Sequence, residues 1–447
     1  MSPEGGRLRR LTGAPGDGVR VVLANCSARG LALVGVTVGT IVVARLGGPS
    51  EVGIYALLRM LPGLVGVLAV AGLPGALAYF LAPPRRGAPH LVPTLAAIAV
   101  LGASVGTLVW LVASPLLARV FFPGAPPLMV VLAGVTVATQ LFMTLGKTAL
   151  QGLQDQRGGD AVIAAEEIGF LPFYLVALAA GLEGSVAVVV GLGVADLAVG
   201  MAAWIRVTDR LGWNSRALGR ALWGRPDTRV AREVVGYGLR GQVGGVITLL
   251  NLRLDFAILD VIVGPAALGA YAVASKYAEL LRLPGTALTW VTYPRLAARS
   301  AETAARHARS LVRPTLLLVT AAAIPAALLA GPVIRLLYGG QFASAALPAQ
   351  ILVLGMLGSG AAGVSSGYLY ARGRPGLNSV ATGIGLTVTV ALDILLIPAH
   401  HAVGAAVAST AAYLVTDLML IGVLLRLTRP PRAVHPFPRT TSVRSAP

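Results

Sequence analysis

The sequence predicts an all-α integral membrane protein of twelve transmembrane helices, built as two similar halves. Three observations carry that expectation. Of the 447 residues, 56% are hydrophobic and only 12% charged, with a mean hydropathy of +0.78, whereas soluble domains carry charge on about a quarter of their residues. The apolar residues fall in runs long enough to cross a hydrocarbon layer about 30 Å thick. Finally, Gly48-Pro49 is followed by Gly53-Ile54-Tyr55-Ala56, and Gly264-Pro265 by Gly269-Ala270-Tyr271-Ala272, at a constant offset of 216 residues. A repeat at about half the chain length means two halves of one design.

Residues 1–18, polar and rich in Gly and Arg, lack the apolar core and small-residue cleavage site of a signal peptide and are expected to form a cytoplasmic tail. Six spans follow in a first half, 19–210, at about 20–45, 51–82, 91–118, 126–152, 161–182 and 184–208. A basic linker, 211–234, precedes a second half, 235–427, with spans at about 235–263, 266–294, 312–335, 344–371, 377–398 and 402–426. The tail 428–447 is rich in Pro and Arg and is expected to be unstructured. Within the linker region, Asp227 to Leu239 alternates charge with Val and Ala. That pattern suits either an amphipathic helix at the inner interface or a solvated basic loop.

Orientation follows from the basic residues. With the N-terminus inside, the segments on the inner side hold 26 Lys and Arg and those on the outer side hold three, Arg45, Arg119 and Arg335. The asymmetry places both termini in the cytoplasm. It also accounts for the net charge of +18 without nucleic acid, because the cations sit in alternate loops rather than in one patch. The single cysteine, Cys26, excludes an intrachain disulfide or a cysteine metal cluster, and five histidines without HxxxH or HExxH spacing give no metal site. No cofactor motif, Walker A sequence or catalytic triad is present, so an enzyme is not expected.

Seven cations fall inside the expected spans: Arg29, Arg59, Lys147, Arg240, Arg253, Lys276 and Arg282. A charge at mid-bilayer costs at least about 2.5–3.5 kcal/mol, so these need partners or water. On a helix, Arg253 and Asp260 nearly eclipse, Asn251 and Asp255 form a second stripe, and Lys276, Glu279 and Arg282 follow at steps of three. Asp255, Asp260 and Glu279 read as counter-charges, or as ion-coupling groups in a cation-driven transporter. Arg59, Arg253, Lys276 and Arg282 read as candidates to meet an anion, since base exceeds acid around them. Arg29 and Arg240 could instead snorkel to the inner interface. The competing reading makes all these charges buried pairs that hold helices together. The fourth span carries Gln140, Thr144, Lys147 and Gln151 on one polar stripe, which suits a cavity wall or helix-to-helix hydrogen bonding. Glu166, Glu167, Asp196, Asp393 and Asp417 have no partner at helical spacing. Pro62, Pro74, Pro284 and Pro325 interrupt apolar spans and are candidate kinks.

From Val19 to Arg426 the chain resembles the polysaccharide flippase (Wzx-like) branch of the multidrug, oligosaccharidyl-lipid and polysaccharide exporter superfamily. The carriers are Leu46-Gly47-Gly48-Pro49 with Gly53-Ile54-Tyr55-Ala56, and Gly72-Leu73-Pro74 leading to Tyr79-Phe80-Leu81. In the second half they are Asp255 ahead of Gly264-Pro265-Ala266-Ala267-Leu268-Gly269-Ala270-Tyr271, and Leu336-Leu337-Tyr338-Gly339 with Phe342. The resemblance implies two pseudo-symmetric six-helix lobes around a central cavity that opens to each side in turn. It implies a substrate, an undecaprenyl-diphosphate-linked oligosaccharide, moved across the bacterial cytoplasmic membrane by a monomeric unit. Membrane lipids, a glycan polymerase and glycosyltransferases are the implied partners. Arg29, Arg59, Arg253 and Lys276 would border the cavity, where a diphosphate suits unpaired Arg and Lys. The twelve-span count differs from the lipid II flippases, which usually have two further C-terminal helices. The lack of an acid in 20–45 differs from the cation-coupled drug exporters.

Three functions follow as alternatives: a flippase for a lipid-linked glycan, an H⁺- or Na⁺-coupled drug or metabolite antiporter using Asp255, Asp260 or Glu279, and a non-transporting scaffold for glycan assembly.

Overall fold

The computed structural model describes residues 15–82, 90–213, 219, 224–282, 296 and 299–428, with side chains from Ser27 onward except at 243, 244, 248, 251 and 252. Asn251 and Pro284 therefore lie outside the described side chains, as do the tail residues 1–14 and 429–447. Among the described residues every regular element is helical. Seven helices are long and apolar enough to cross a membrane, and an eighth span arises if the bent pair Gly340–Gly355 and Ser359–Ala371 counts as one. The outward faces are apolar, with Val112, Leu328 and Leu336 each more than 70% exposed, as expected where the surrounding solvent is lipid rather than water.

Helix α1, Pro15–Ala69, is two helices joined at Gly48. Gly48 has φ 77° and ψ −170°, a conformation open to glycine, and Pro49 restarts the helix with its φ preset. This is the expected turn between the first and second spans. After α2, Leu73–Phe80, come α3, Leu91–Val120, and α4, Pro127–Gly152. Next are α5, Gln156–Ala179, and α6, Gly184–Leu211. Asp155 caps α5 by accepting from Gly158 N at 3.1 Å.

The second half begins with α7, Thr228–Val263, capped by Asp227, which accepts from Arg229 N at 2.6 Å. The stretch from Asp227 to Leu239 is thus continuous with the expected seventh span rather than a separate interfacial helix, because the cap and the helical pattern run on without a break. Gly264, with φ 108° and ψ 174°, separates α7 from α8, Pro265–Glu279, and matches Gly48 at the 216-residue offset. Helix α9, Ala301–Tyr338, is followed by a 3-10 turn, Gly340–Ala345. Then come α10, Ala346–Gly355, α11, Ser359–Ala371, and α12, Pro375–Leu427. Helix α12 breaks at His401, with φ 52° and ψ −131°, between the expected eleventh and twelfth spans. Pro62 and Pro325 are carried inside helices, and Pro74 lies at the start of α2.

Helices α1, α4, α5 and α6 pack together, as do α7 to α12, and the two groups meet chiefly where α1 crosses α8. The repeated glycines explain that crossing. A Cβ on Gly53 would collide with the carbonyl oxygen of Pro265, and a Cβ on Gly269 with that of Pro49. Each glycine therefore seats the other half's Gly-Pro turn. Beside this crossing, Arg45 Nε donates to Leu337 O at 2.9 Å, its Nη2 donates to Leu336 O, and Gln341 Nε2 donates to Ala44 O at 2.8 Å. At the opposite end, Gly72 and Gly238 abut backbone to backbone, and the Tyr79 and Tyr237 rings stack at 4.1 Å.

Candidate functional site

Between these two contact zones lies a cavity of about 340 Å³ lined by both halves. Its first-half wall includes Tyr55 and Arg59 of α1, Gln140 and Thr144 of α4, Glu166 and Glu167 of α5, and Asp196 of α6. Arg253 and Phe256 of α7 and Lys276 of α8 form the second-half wall. The depth of α1 at this point follows from the Gly48 break, which starts a fresh helix whose first three turns bring Tyr55 and Arg59 onto one face. Tyr55 stacks on Phe170 at 4.7 Å, and Arg59 Nη1 donates to its hydroxyl at 3.0 Å.

Four of the cations the sequence singles out, Arg59, Lys147, Arg253 and Lys276, are ion-paired. Arg59 Nη2 meets Glu167 at 2.5 Å and Lys147 Nζ meets Glu166 at 2.8 Å. Lys276 Nζ lies 3.0 Å from Glu279, which Arg253 approaches at 3.7 Å, and the Arg253 guanidinium sits 5.0 Å over the Phe256 ring. Arg282 is exposed and Arg29 half-buried; each makes interactions of its own. Neither borders the cavity as Arg59, Arg253 and Lys276 do, although Arg29 shares a face of α1 with the lining residues Val36 and Thr40. The surplus of base expected around Arg59 is not found, because Glu167 reaches it from α5. Lys147, expected on a polar stripe suited to a cavity wall, lies outside the cavity lining and is met by Glu166, also of α5. Those acids belong to another helix, so spacing within one span could not pair them. Two adjacent carboxylates inside an apolar helix were the only available signal.

The acids divide differently from the eclipsed pairing of Arg253 with Asp260. Asp260 is 2% exposed, and neither of its oxygens has a hydrogen-bond partner among the described residues. Arg253 and Asp260 are seven residues apart, about 10 Å along a helix, so sharing a stripe does not bring them into contact. Asp255 accepts from Tyr271 Oη at 2.6 Å and from Ser409 Oγ at 3.1 Å, and its Oδ1 accepts from Phe256 N at 2.9 Å. It ties α7, α8 and α12 together through hydroxyls rather than through a salt bridge. Glu279 is the one acid of the three that acts as a counter-charge by contact.

One further cluster lies at the turn between α4 and α5. Asp155, between α4 and α5, receives Arg206 Nε at 2.6 Å and Arg210 Nε at 2.9 Å from α6. The Arg206 guanidinium holds its carboxyl well below the usual carboxylate range against the opposing effect of burial, with help from Gly158 N–H and Arg210.

A helical membrane fold in which two packed groups enclose a charged cavity defines a transporter-type architecture. The family model described as "Polysaccharide biosynthesis protein" matches residues 42–347, and the chain belongs to that family. Among curated proteins, the "Probable low-salt glycan biosynthesis flippase Agl15" of Haloferax volcanii is 23% identical over 199 residues, covering 44% of this chain and 42% of the relative. The chain thus spans less than half the length of the curated relative it matches. Among solved structures, "Lipid II flippase MurJ, inward closed conformation" aligns with a TM-score of 0.71 at 13% identity, over 92% of this chain and 90% of that one. An inward-facing multidrug resistance MATE family transporter of the MOP superfamily aligns at 0.65 and 14% identity, over 90% of this chain and 95% of that one. These likenesses establish the fold.

Proposed function

We propose that the protein is a flippase that moves an undecaprenyl-diphosphate-linked oligosaccharide or related glycan precursor across the cytoplasmic membrane by alternating access. Twelve spans form two six-helix lobes, and both termini are cytoplasmic. The breaks at Gly48, Gly264 and His401 support the span count, and the reciprocal seating of Gly53 and Gly269 supports the pseudo-two-fold relation. The observation that carries the reading is the cavity between the two halves, with Arg59, Arg253 and Lys276 in its wall. A sugar diphosphate head suits such a cavity, while its polyprenyl tail stays in lipid between the lobes. The transporting unit is one chain, and it works beside a glycan polymerase and glycosyltransferases. Substituting Arg253 or Lys276 by Gln, singly, abolishes surface glycan in cells while the protein still inserts. Normal surface glycan in both variants would refute the site.

A second reading, the H⁺- or Na⁺-coupled antiporter, draws on Asp260, whose buried oxygens lack hydrogen-bond partners among the described residues. Drug efflux from inverted vesicles that is lost in Asp260→Asn would favour it.

A further inference from the structure

The two walls of the cavity differ in charge. The first half lines it with one cation, Arg59, and three acids, Glu166, Glu167 and Asp196; Arg59 has Glu167 at 2.5 Å, and Lys147, outside the lining, holds Glu166 at 2.8 Å. In the second half, Arg253 and Lys276 share one carboxylate, Glu279, at 3.7 and 3.0 Å, and Arg282 lies within electrostatic reach of the same group. The nearby Asp255 is engaged by Tyr271 and Ser409. One wall is rich in acid and the other in base.

We propose that the phosphate-bearing head of the substrate binds on Arg253 and Lys276, and that Glu279 is the internal anion it displaces, which makes Glu279 the specificity-determining residue of the site. This rests on the flippase reading above. An anion placed against the first-half wall would meet three carboxylates and one cation, Arg59, already held at contact distance. On the second-half wall it replaces a single carboxylate that serves two cations, one of them at 3.7 Å. A diphosphate brings more charge and more acceptor oxygens than Glu279 and wins that exchange. A neutral sugar or a monocarboxylate gains nothing over the group already present. The site thereby selects phosphate-bearing lipids by competition.

The exchange has a linked consequence. The groups around Glu279 are Lys276 on its own helix, Arg282 just beyond it, Arg253 from α7 and Tyr413 from α12, while Arg59 of α1 acts on Lys276. Once phosphate takes Arg253 and Lys276, Glu279 is left with less compensating charge and binds a proton more readily. Anion binding and proton uptake are therefore coupled at this residue.

Binding of inorganic pyrophosphate to the purified full-length protein in detergent, followed by calorimetry between pH 6 and 8, tests this. Glu279→Gln is expected to bind about tenfold tighter than the wild type, the effect of removing one charge-assisted competitor. Wild-type affinity is expected to rise as pH falls, relative to Glu279→Gln, by up to about tenfold per pH unit for one linked proton. Should Glu279→Gln fail to fold, the wild type alone still decides. Its binding heats in buffers of different ionisation enthalpy are expected to report proton uptake beyond that of the ligand's own titration. Equal affinities and equal pH slopes, or no excess proton uptake, overturn the inference and leave the flippase reading intact. If neither pyrophosphate nor undecaprenyl diphosphate binds wild type or variant, the flippase reading falls as well.

Discussion

The reciprocal glycine crossing gives a quantitative prediction. In Gly53→Ala the new Cβ would stand 2.8 Å from the carbonyl carbon of Pro265, and in Gly269→Ala it would stand 2.8 Å from that of Pro49, against 3.4 Å for ordinary contact. The carbonyl oxygens lie closer still, so α1 and α8 must separate by at least about 0.6 Å, the difference of those distances. Neither obstacle is the end of a flexible side chain, and overpacking of this kind costs about 1–3 kcal/mol per substitution. One separation of the helices relieves both clashes, so the double variant is expected to cost at least about 1 kcal/mol less than the sum of the singles. Reversible unfolding in mixed detergent measures all three. Additive costs, or single variants within about 0.5 kcal/mol of wild type, would refute the idea that the two glycines serve one contact.

Other consequences follow from the same contacts. Arg59→Gln leaves Glu167 without its cation and is expected to destabilise by about 1.5–3 kcal/mol, while the double substitution with Glu167→Gln recovers part of that loss in the same unfolding assay. Asp155 has a depressed pKa in the folded state, so its stabilising effect is present above the unfolded carboxylate value near 3.9 and is lost as pH falls through the folded value. Thermal melting of the wild type is expected to drop below about pH 4, whereas Asp155→Asn melts lower at neutral pH and loses less on acidification. Tyr271→Phe removes the hydroxyl that serves Asp255 at 2.6 Å and Ser409 at 3.0 Å. It is expected to cost about 1–3 kcal/mol, and an unchanged unfolding free energy would show that water replaces that hydroxyl.

Much of the architecture was legible because it rests on local rules. The turns at Gly48-Pro49 and Gly264-Pro265 could be read from a glycine and a proline in series, and the halves from the offset between them. What the glycines four residues further on were for could not be read, since Gly53 and Gly269 act on each other's partners across the molecule. The charges show the same limit. Lys276 and Glu279 could be paired because they share a helix face, whereas the partners of Arg59 and Lys147 lie on α5, 108 and 19 positions away respectively. A stripe on a helix also says nothing about reach, which is why Arg253 and Asp260 align without touching. The contacts of Arg45 with the C-terminal carbonyls of α9 were invisible for a further reason: a helix end offers backbone acceptors that no residue type advertises.

The central claim, that the cavity moves a lipid-linked diphosphate across the bilayer, is tested most directly in liposomes. The full-length protein would be reconstituted with a fluorescent undecaprenyl-diphosphate oligosaccharide, and loss of outer-leaflet label to a membrane-impermeant quencher followed over time. The account predicts rapid exposure of inner-leaflet label with wild type and a rate at the protein-free background with Lys276→Gln. A wild-type rate equal to that of protein-free liposomes would contradict it.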